Sequence, residues 1–261
     1  MLISTSELNK RLDDENLLII DARSWHEYER GHIPNAINLD LFAFHWADTS
    51  KEGIESFNKQ MTKLLSNVGV SHDKFVVFYD DVSGIFAARG VWLLEYLSHK
   101  NVMMLDGGIS KWKKDGYLIE KHLNSYKPAK FKPKINPDVL ATYIYVHNSL
   151  SNPNVKIVDA RTKEEHTGKW VRAARAGHIP NAINIDWKAN VEKYGRFKSS
   201  EALIKLYGKI SKNDEVICYC QGGYRAANGY LALKKLGYKK LRVYLGSWYE
   251  WGNTLDLPVE K

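Results

Sequence analysis

Gly31-His32-Ile33-Pro34-Asn35-Ala36-Ile37-Asn38 recurs, letter for letter, as Gly177-His178-Ile179-Pro180-Asn181-Ala182-Ile183-Asn184. Eight identical residues in one chain mark an internal repeat, and the repeat decides the fold. Upstream of each copy lies a strand-like run ending in Asp-Ala-Arg, at residues 18–23 and 157–161. The offset is 138 at Arg23/Arg161 and 146 at Gly31/Gly177, so the second copy carries eight extra residues in between. Downstream, residues 75–79 and 215–219 are apolar runs of strand length, followed by helical stretches at 86–98 and 225–236. A further short run follows in each half, 102–105 with Gly107-Gly108-Ile109-Ser110-Lys111-Trp112 and 241–245 with Gly246-Ser247-Trp248-Tyr249-Glu250-Trp251.

Strands alternating with helices read as βαβ units, because parallel neighbours need a crossover long enough to hold a helix. The expectation is an α/β protein of two tandem domains, each a mainly parallel sheet flanked by helices. At 261 residues the chain has room for two domains of ordinary size. Residues 121–137 contain five lysines, three of the seven prolines and no acidic residue, the composition of an extended, solvated connector. The division is therefore 1–122 for the first domain, 123–137 for the linker and 138–261 for the second. Because the octapeptide occurs in both halves, its histidine reads as structural, satisfied by backbone groups in a tight loop.

Composition narrows the function. Hydrophobic residues at 44% and charged residues at 26% are globular values. The net charge of +8 comes from Lys and Arg spread along the chain, with no nucleic-acid-binding motif, so no nucleic acid is expected and attraction of small anions is. No apolar run reaches the roughly 18–20 residues that cross a bilayer, and the first residues lack an apolar segment behind a basic one, so no membrane association and a cytoplasmic location are expected. The two cysteines, Cys218 and Cys220, are two residues apart, a poor geometry for a disulfide, and supply no cysteine-rich metal site. No metal and no cofactor are expected.

The repeats differ most at the end of the central strand, where Val77-Phe78-Tyr79-Asp80-Asp81 faces Ile217-Cys218-Tyr219-Cys220-Gln221. Asp80 stands where Cys220 stands. Ligands bind beyond the carboxyl ends of strands in open parallel sheets, and Cys220 falls at such an end just before a helix. In Cys220-Gln221-Gly222-Gly223-Tyr224-Arg225, the paired glycines let backbone N–H groups turn inward around one point, and the helix dipole favours thiolate over thiol. Cys220 is the candidate nucleophile, with Gln221, Gly222, Gly223, Tyr224 and Arg225 as its anion-binding loop; the other reading of Arg225 is a helix-start side chain that points to solvent or pairs with an acidic surface group. Cys218, inside the strand, is read as core packing, with a redox partner role as the other reading. Four residues separate Cys220 from Arg225, a smaller ring than the five that encircle phosphate in cysteine phosphatases.

On these residues the chain resembles the tandem-domain rhodaneses, the thiosulfate sulfurtransferases and 3-mercaptopyruvate sulfurtransferases. The resemblance rests on both Asp-Ala-Arg strands, both Gly-His-Ile-Pro segments, Ala87-Ala88-Arg89, Gly246-Ser247-Trp248 with Trp251, and the Cys-x-x-Gly-x-Arg loop. It implies a first domain that has lost its cysteine and walls the active site, and a ping-pong transfer of sulfane sulfur through a Cys220 persulfide. The partners it implies are a small anionic donor and a thiophilic acceptor, whether cyanide, a thiol, or a thioredoxin-like or carrier protein, acting on a monomer. Arg172 and Arg175, in the region of the eight extra residues, resemble arginines that hold anionic donors, with solvated loop charges as the other reading. Phe86 resembles an aromatic that faces the persulfide, with core packing as the alternative. The loop matches neither the basic pattern of thiosulfate enzymes nor the Gly-Ser-Gly type of mercaptopyruvate enzymes, and the net positive charge favours thiosulfate.

Overall fold

The computed structural model of the chain describes residues 1–193 and 195–261. In the first half, β1 (Leu2–Ile3), α1 (Thr5–Asn9), β2 (Leu17–Asp21), α2 (Trp25–Glu29), β3 (Ile37–Asn38), α3 (Lys51–Asn67), β4 (Phe75–Tyr79), α4 (Ile85–Tyr96), β5 (Val102–Leu105) and α5 (Gly108–Lys114) follow one another. The second half repeats the order as β6 (Leu140–Ala141), α6 (Tyr143–Ser149), β7 (Val155–Asp159), α7 (Lys163–His166), β8 (Ile183–Asn184), α8 (Ser200–Tyr207), β9 (Glu215–Tyr219), α9 (Tyr224–Lys235), β10 (Leu241–Tyr244) and α10 (Ser247–Trp251). The sheets run β1-β5-β4-β2-β3 and β6-β10-β9-β7-β8, and every ladder is parallel. Val76 to Tyr79 and Val216 to Tyr219 are buried without interruption, as central strands covered on both faces must be.

Two compact units result. One comprises residues 1–45, 56–136 and 191–197; the other comprises 46–55, 137–190 and 198–261. Residues 121–136 lie in the first unit and are extended but not wholly solvated. Phe131 is 3% exposed with its ring 5.0 Å from that of His72, Ala129 N–H donates to the Ser66 carbonyl at 2.8 Å, and Asn136 N–H donates to that of Tyr96 at 2.7 Å. The composition of this stretch reports its lysines, whereas its one phenylalanine sets its path, because burying a phenyl ring stabilises by about 1.5–3 kcal/mol.

The two repeated motifs prove to be one buried device. In the first unit Asp21 accepts from the Arg23 guanidinium at 2.6 Å and from the Tyr79 hydroxyl at 2.5 Å, and Arg23 also donates to the Gly31 carbonyl at 3.0 Å. In the second, Asp159 accepts from Arg161 and Tyr219, both at 2.7 Å, and Arg161 donates to the Gly177 carbonyl at 2.8 Å. Each octapeptide then pairs with the far end of its own unit through His32/Glu120 and His178/Glu260 bridges. A side chain at Gly177 would place its Cβ 2.0 Å from the Glu260 carbonyl oxygen, so only glycine fits this approach. The imidazoles take backbone carbonyls, His32 that of Tyr28 at 2.9 Å and His178 that of His166 at 2.8 Å, as a structural role requires.

Candidate active site

Cys220 follows the last residue of β9 and is 1% exposed. Its backbone is clamped on both sides. The carbonyls of Cys220 and Gln221 accept from Trp248 and Tyr249 N–H, each at 2.9 Å, and Cys220 N–H donates to the Ser247 hydroxyl at 3.1 Å. Ser247 in turn donates to the Tyr244 carbonyl at 2.8 Å. It holds φ at +54°, a left-handed conformation unusual for a residue with a side chain. Its counterpart Gly108 has φ +57° and no room for a Cβ, which would meet the Asp80 carbonyl oxygen at 2.3 Å. The Gly-Gly against Gly-Ser contrast was visible in the aligned repeats, but nothing local shows that the hydroxyl reaches the Cys220 amide.

The loop turns at Gly223, with φ +86°, and its N–H donates to Cys220 Sγ at 3.1 Å. That donor, at the start of the 12-residue α9, supplies the positive end of a helix to the sulfur. Gly222 lies within the turn between Cys220 and this donor, and Tyr224 opens α9 with its side chain buried. The Gln221 side chain reaches away, donating to the Arg172 carbonyl at 2.9 Å, so the loop is stitched to the extra segment of the second repeat. Cys218 is fully buried, and burial pushes its thiol well up from its ordinary value, which leaves it protonated.

Arg225 sits at the second position of α9 and does not point into solvent. Its two terminal nitrogens grip both oxygens of Glu165, at 2.8 Å for Nη2 to Oε1. Burial acts to depress the guanidinium's ionisation, but the Glu165 hydrogen bonds and the Cys220 sulfur raise it. Arg172 is 45% exposed on its side chain and lies 3.4 Å from the same carboxylate. Arg175 is placed otherwise: its guanidinium donates to the carbonyls of Trp251, Gly252, Thr254, Leu255 and Leu257, which fixes the end of the unit and takes up the fork an anion would need. Glu165 escaped the sequence reading. The pattern Thr162-x-x-Glu165 announces a capping box, which does form, but says nothing of an arginine 60 residues on.

In the first unit the equivalent carboxylate replaces the sulfur. Asp80 Oδ1 accepts from Gly84 N–H at 3.0 Å, and Oδ2 from Phe86 and Ala87 N–H at 3.0 and 3.1 Å. The cradle for an anion is filled by its own side chain. Burial nonetheless pushes the carboxyl up to about 7. Phe86, at the helical position that Arg225 holds in the other unit, is half-buried with its ring edge-on to Phe42 at 6.0 Å. Among the described residues no helix is long and apolar enough to cross a membrane, and no cluster of three or more His, Cys, Asp or Glu is placed to hold a metal ion.

Known proteins share this fold. The rhodanese-like domain model matches residues 4–115 and again 142–254. A thiosulfate sulfurtransferase of Pseudomonas aeruginosa is 32% identical over all of this chain and 97% of its own length. The sulfur carrier protein TtuD of Thermus thermophilus is 31% identical over all of this chain and 96% of its own. The crystal structure of SseA from Escherichia coli, described among 3-mercaptopyruvate sulfotransferases, superposes with a TM-score of 0.80 at 28% identity, covering 95% of this chain and 98% of that one. With two matched domains whose strands, clamped strand-end loops and Asp-Ala-Arg carboxylates recur in the order the repeat demands, the chain belongs to the rhodanese family of sulfurtransferases.

Proposed function

We propose that this protein takes a sulfane sulfur from thiosulfate, holds it on Cys220 as a persulfide and passes it to a thiophilic acceptor. The observation that carries this reading is the cysteine at the carboxyl end of the central strand β9, with the helix-start N–H of Gly223 on its sulfur. The Cys220 thiolate attacks the outer sulfur of thiosulfate; the sulfur–sulfur bond of the donor breaks and sulfite leaves with its electron pair. Cyanide or a thiolate then attacks the terminal sulfur of the persulfide, and the Cys220 thiolate is restored. The Gly223 N–H that faces the Cys220 sulfur serves the persulfide as well, so no group must reorganise between the half-reactions. Thiosulfate as donor is supported by the identity to the Pseudomonas enzyme, and a protein acceptor by that to the Thermus carrier.

Incubation with thiosulfate should add the mass of one sulfur atom to the intact protein, and cyanide should remove it. Absence of an adduct with every sulfane donor would refute the mechanism. Parallel initial rates with thiosulfate and 3-mercaptopyruvate decide the donor, and preference for the second overturns the thiosulfate assignment.

A further inference from the structure

We infer that Glu165 is a positioning residue for the reactive loop: it holds the Arg225 guanidinium beside Cys220, and without it Arg225 leaves for solvent. The inference rests on the sulfur-transfer reading of Cys220 and its loop. Glu165 is 1% exposed, and its carboxylate does two separable things. It closes the capping box of α7, Oε2 accepting from Thr162 N–H at 3.1 Å while Glu165 N–H donates to the Thr162 hydroxyl at 3.3 Å. It also receives the bidentate fork of Arg225 and the more distant Arg172.

The first unit separates these roles. Glu27 closes the same capping box with Ser24, so the helix start asks for a carboxylate in both repeats. Yet Glu27 is only half-buried, and the helical position of Arg225 is taken by Phe86. Where the cysteine is present, the capping carboxylate is buried and gripped by an arginine; where it is absent, neither holds. A cap does not require burial, which costs a charge its hydration unless it is paired. Burial pushes the Glu165 carboxyl up, and the Arg225 fork more than offsets this, keeping it ionised. Reciprocally, a guanidinium with a long flexible stem stays in a largely buried place only while its charge is met there. Arg225 lies in the first turn of the helix whose start donates to Cys220 Sγ, and the sulfur's charge in turn acts to keep the guanidinium ionised.

The test compares Glu165→Gln, Arg225→Met and the double variant. Glutamine at this capping position still accepts from Thr162 N–H, so the cap survives while the ion pair is lost. Two readouts are taken: the second-order rate of persulfide formation from thiosulfate, and the ratio of Cys220 alkylation rates by iodoacetate and by uncharged iodoacetamide. Glu165→Gln should slow persulfide formation about tenfold and lower the alkylation ratio, as Arg225→Met does, and the double variant should be no worse than Arg225→Met alone. An unchanged or raised ratio in Glu165→Gln, or fully additive losses in the double variant, would overturn the inference. Should Glu165→Gln not accumulate as folded protein, Glu165→Asp, one methylene too short for the two-point grip, is held to the same criteria. Alkylation needs no sulfur donor, so a failure of the sulfur-transfer reading shows as absent persulfide in the unsubstituted protein while the alkylation ratios still decide the role of Glu165.

Discussion

The two units share a fold, a buried Asp-Arg-Tyr device and a backbone clamp at the end of the central strand, yet one ends that strand in Asp80 and the other in Cys220. Both side chains face the amino end of a helix, and both accept backbone N–H groups there. The cradle is therefore a property of the fold, and the chemistry a property of what is put in it. A carboxylate fills the cradle and closes it, since all three amides it can reach are spent on the chain itself. A cysteine at that place reaches one amide, that of Gly223, and leaves its sulfur otherwise uncommitted to the loop. The second difference is the partner: α9 carries at its second position an arginine held by Glu165, whereas α4 carries Phe86 at that place.

The sharpest test of the contrast removes the sulfur. Cys220→Ser should abolish sulfur transfer, measured as thiocyanate formed from thiosulfate and cyanide, whereas Cys218→Ser should retain most of it because that thiol is buried and protonated. Loss of activity in a folded Cys218→Ser variant refutes the assignment.

Moving the cysteine to the other unit comes next. Asp80→Cys in the Cys220→Ser background places a thiol in the first cradle but without the arginine. Persulfide should form there about a hundredfold more slowly than at Cys220, the upper end of what losing a charge-assisted contact costs. A rate equal to that of Cys220 would show that the cradle alone suffices.

Within the second unit, Arg225→Lys should lower the rate of persulfide formation by roughly ten- to hundredfold, because a compact ammonium cannot span both oxygens of Glu165 as the planar fork does. Rates near those of the unsubstituted protein for both Arg225→Lys and Arg225→Ala would remove Arg225 from the site.

A last comparison concerns stability, in which the two units should answer pH in opposite directions. Burial pushes Asp159 up, but the His166 hydrogen bond and Arg161 hold it at about 2, below its ordinary 3.8. A folded value below the unfolded one contributes stability that is present above about pH 4 and lost as pH falls toward 2, about 2 kcal/mol in all. Asp80, raised by burial from 3.8 to about 7, has the reverse sign. Its contribution is complete below about pH 4 and lost as pH rises to 7, on the order of 4 kcal/mol. Hydrogen exchange read separately on β4 and β9 peptides resolves the units, and Asp80→Asn and Asp159→Asn should flatten the respective profiles. Parallel profiles in both units would contradict the opposed environments.

Much of this was legible from one chain. The repeated octapeptide and Asp-Ala-Arg strands announced tandem α/β domains, and the strand at 75–79 falls on β4 residue for residue. The loop that presents Cys220 was legible too, since a cysteine before a Gly-Gly turn and a helix is a local arrangement. What escaped was pairing at a distance. Arg175, read as either a holder of anions or a solvated loop charge, caps five carbonyls; Phe131 ties down a stretch read as solvated; and Glu165, read as nothing, meets Arg225.

The amino-acid sequence by itself determined the elements, their order, the cysteine and the turn that presents it, because strand alternation, helix starts and glycine turns depend on neighbours within a few residues. Only the tertiary structure decided which charges are met and which remain open. A guanidinium or carboxylate can satisfy its hydrogen bonds with any partner the fold brings within reach, and at separations of 60 to 80 residues that partner is chosen by packing, which no local pattern records.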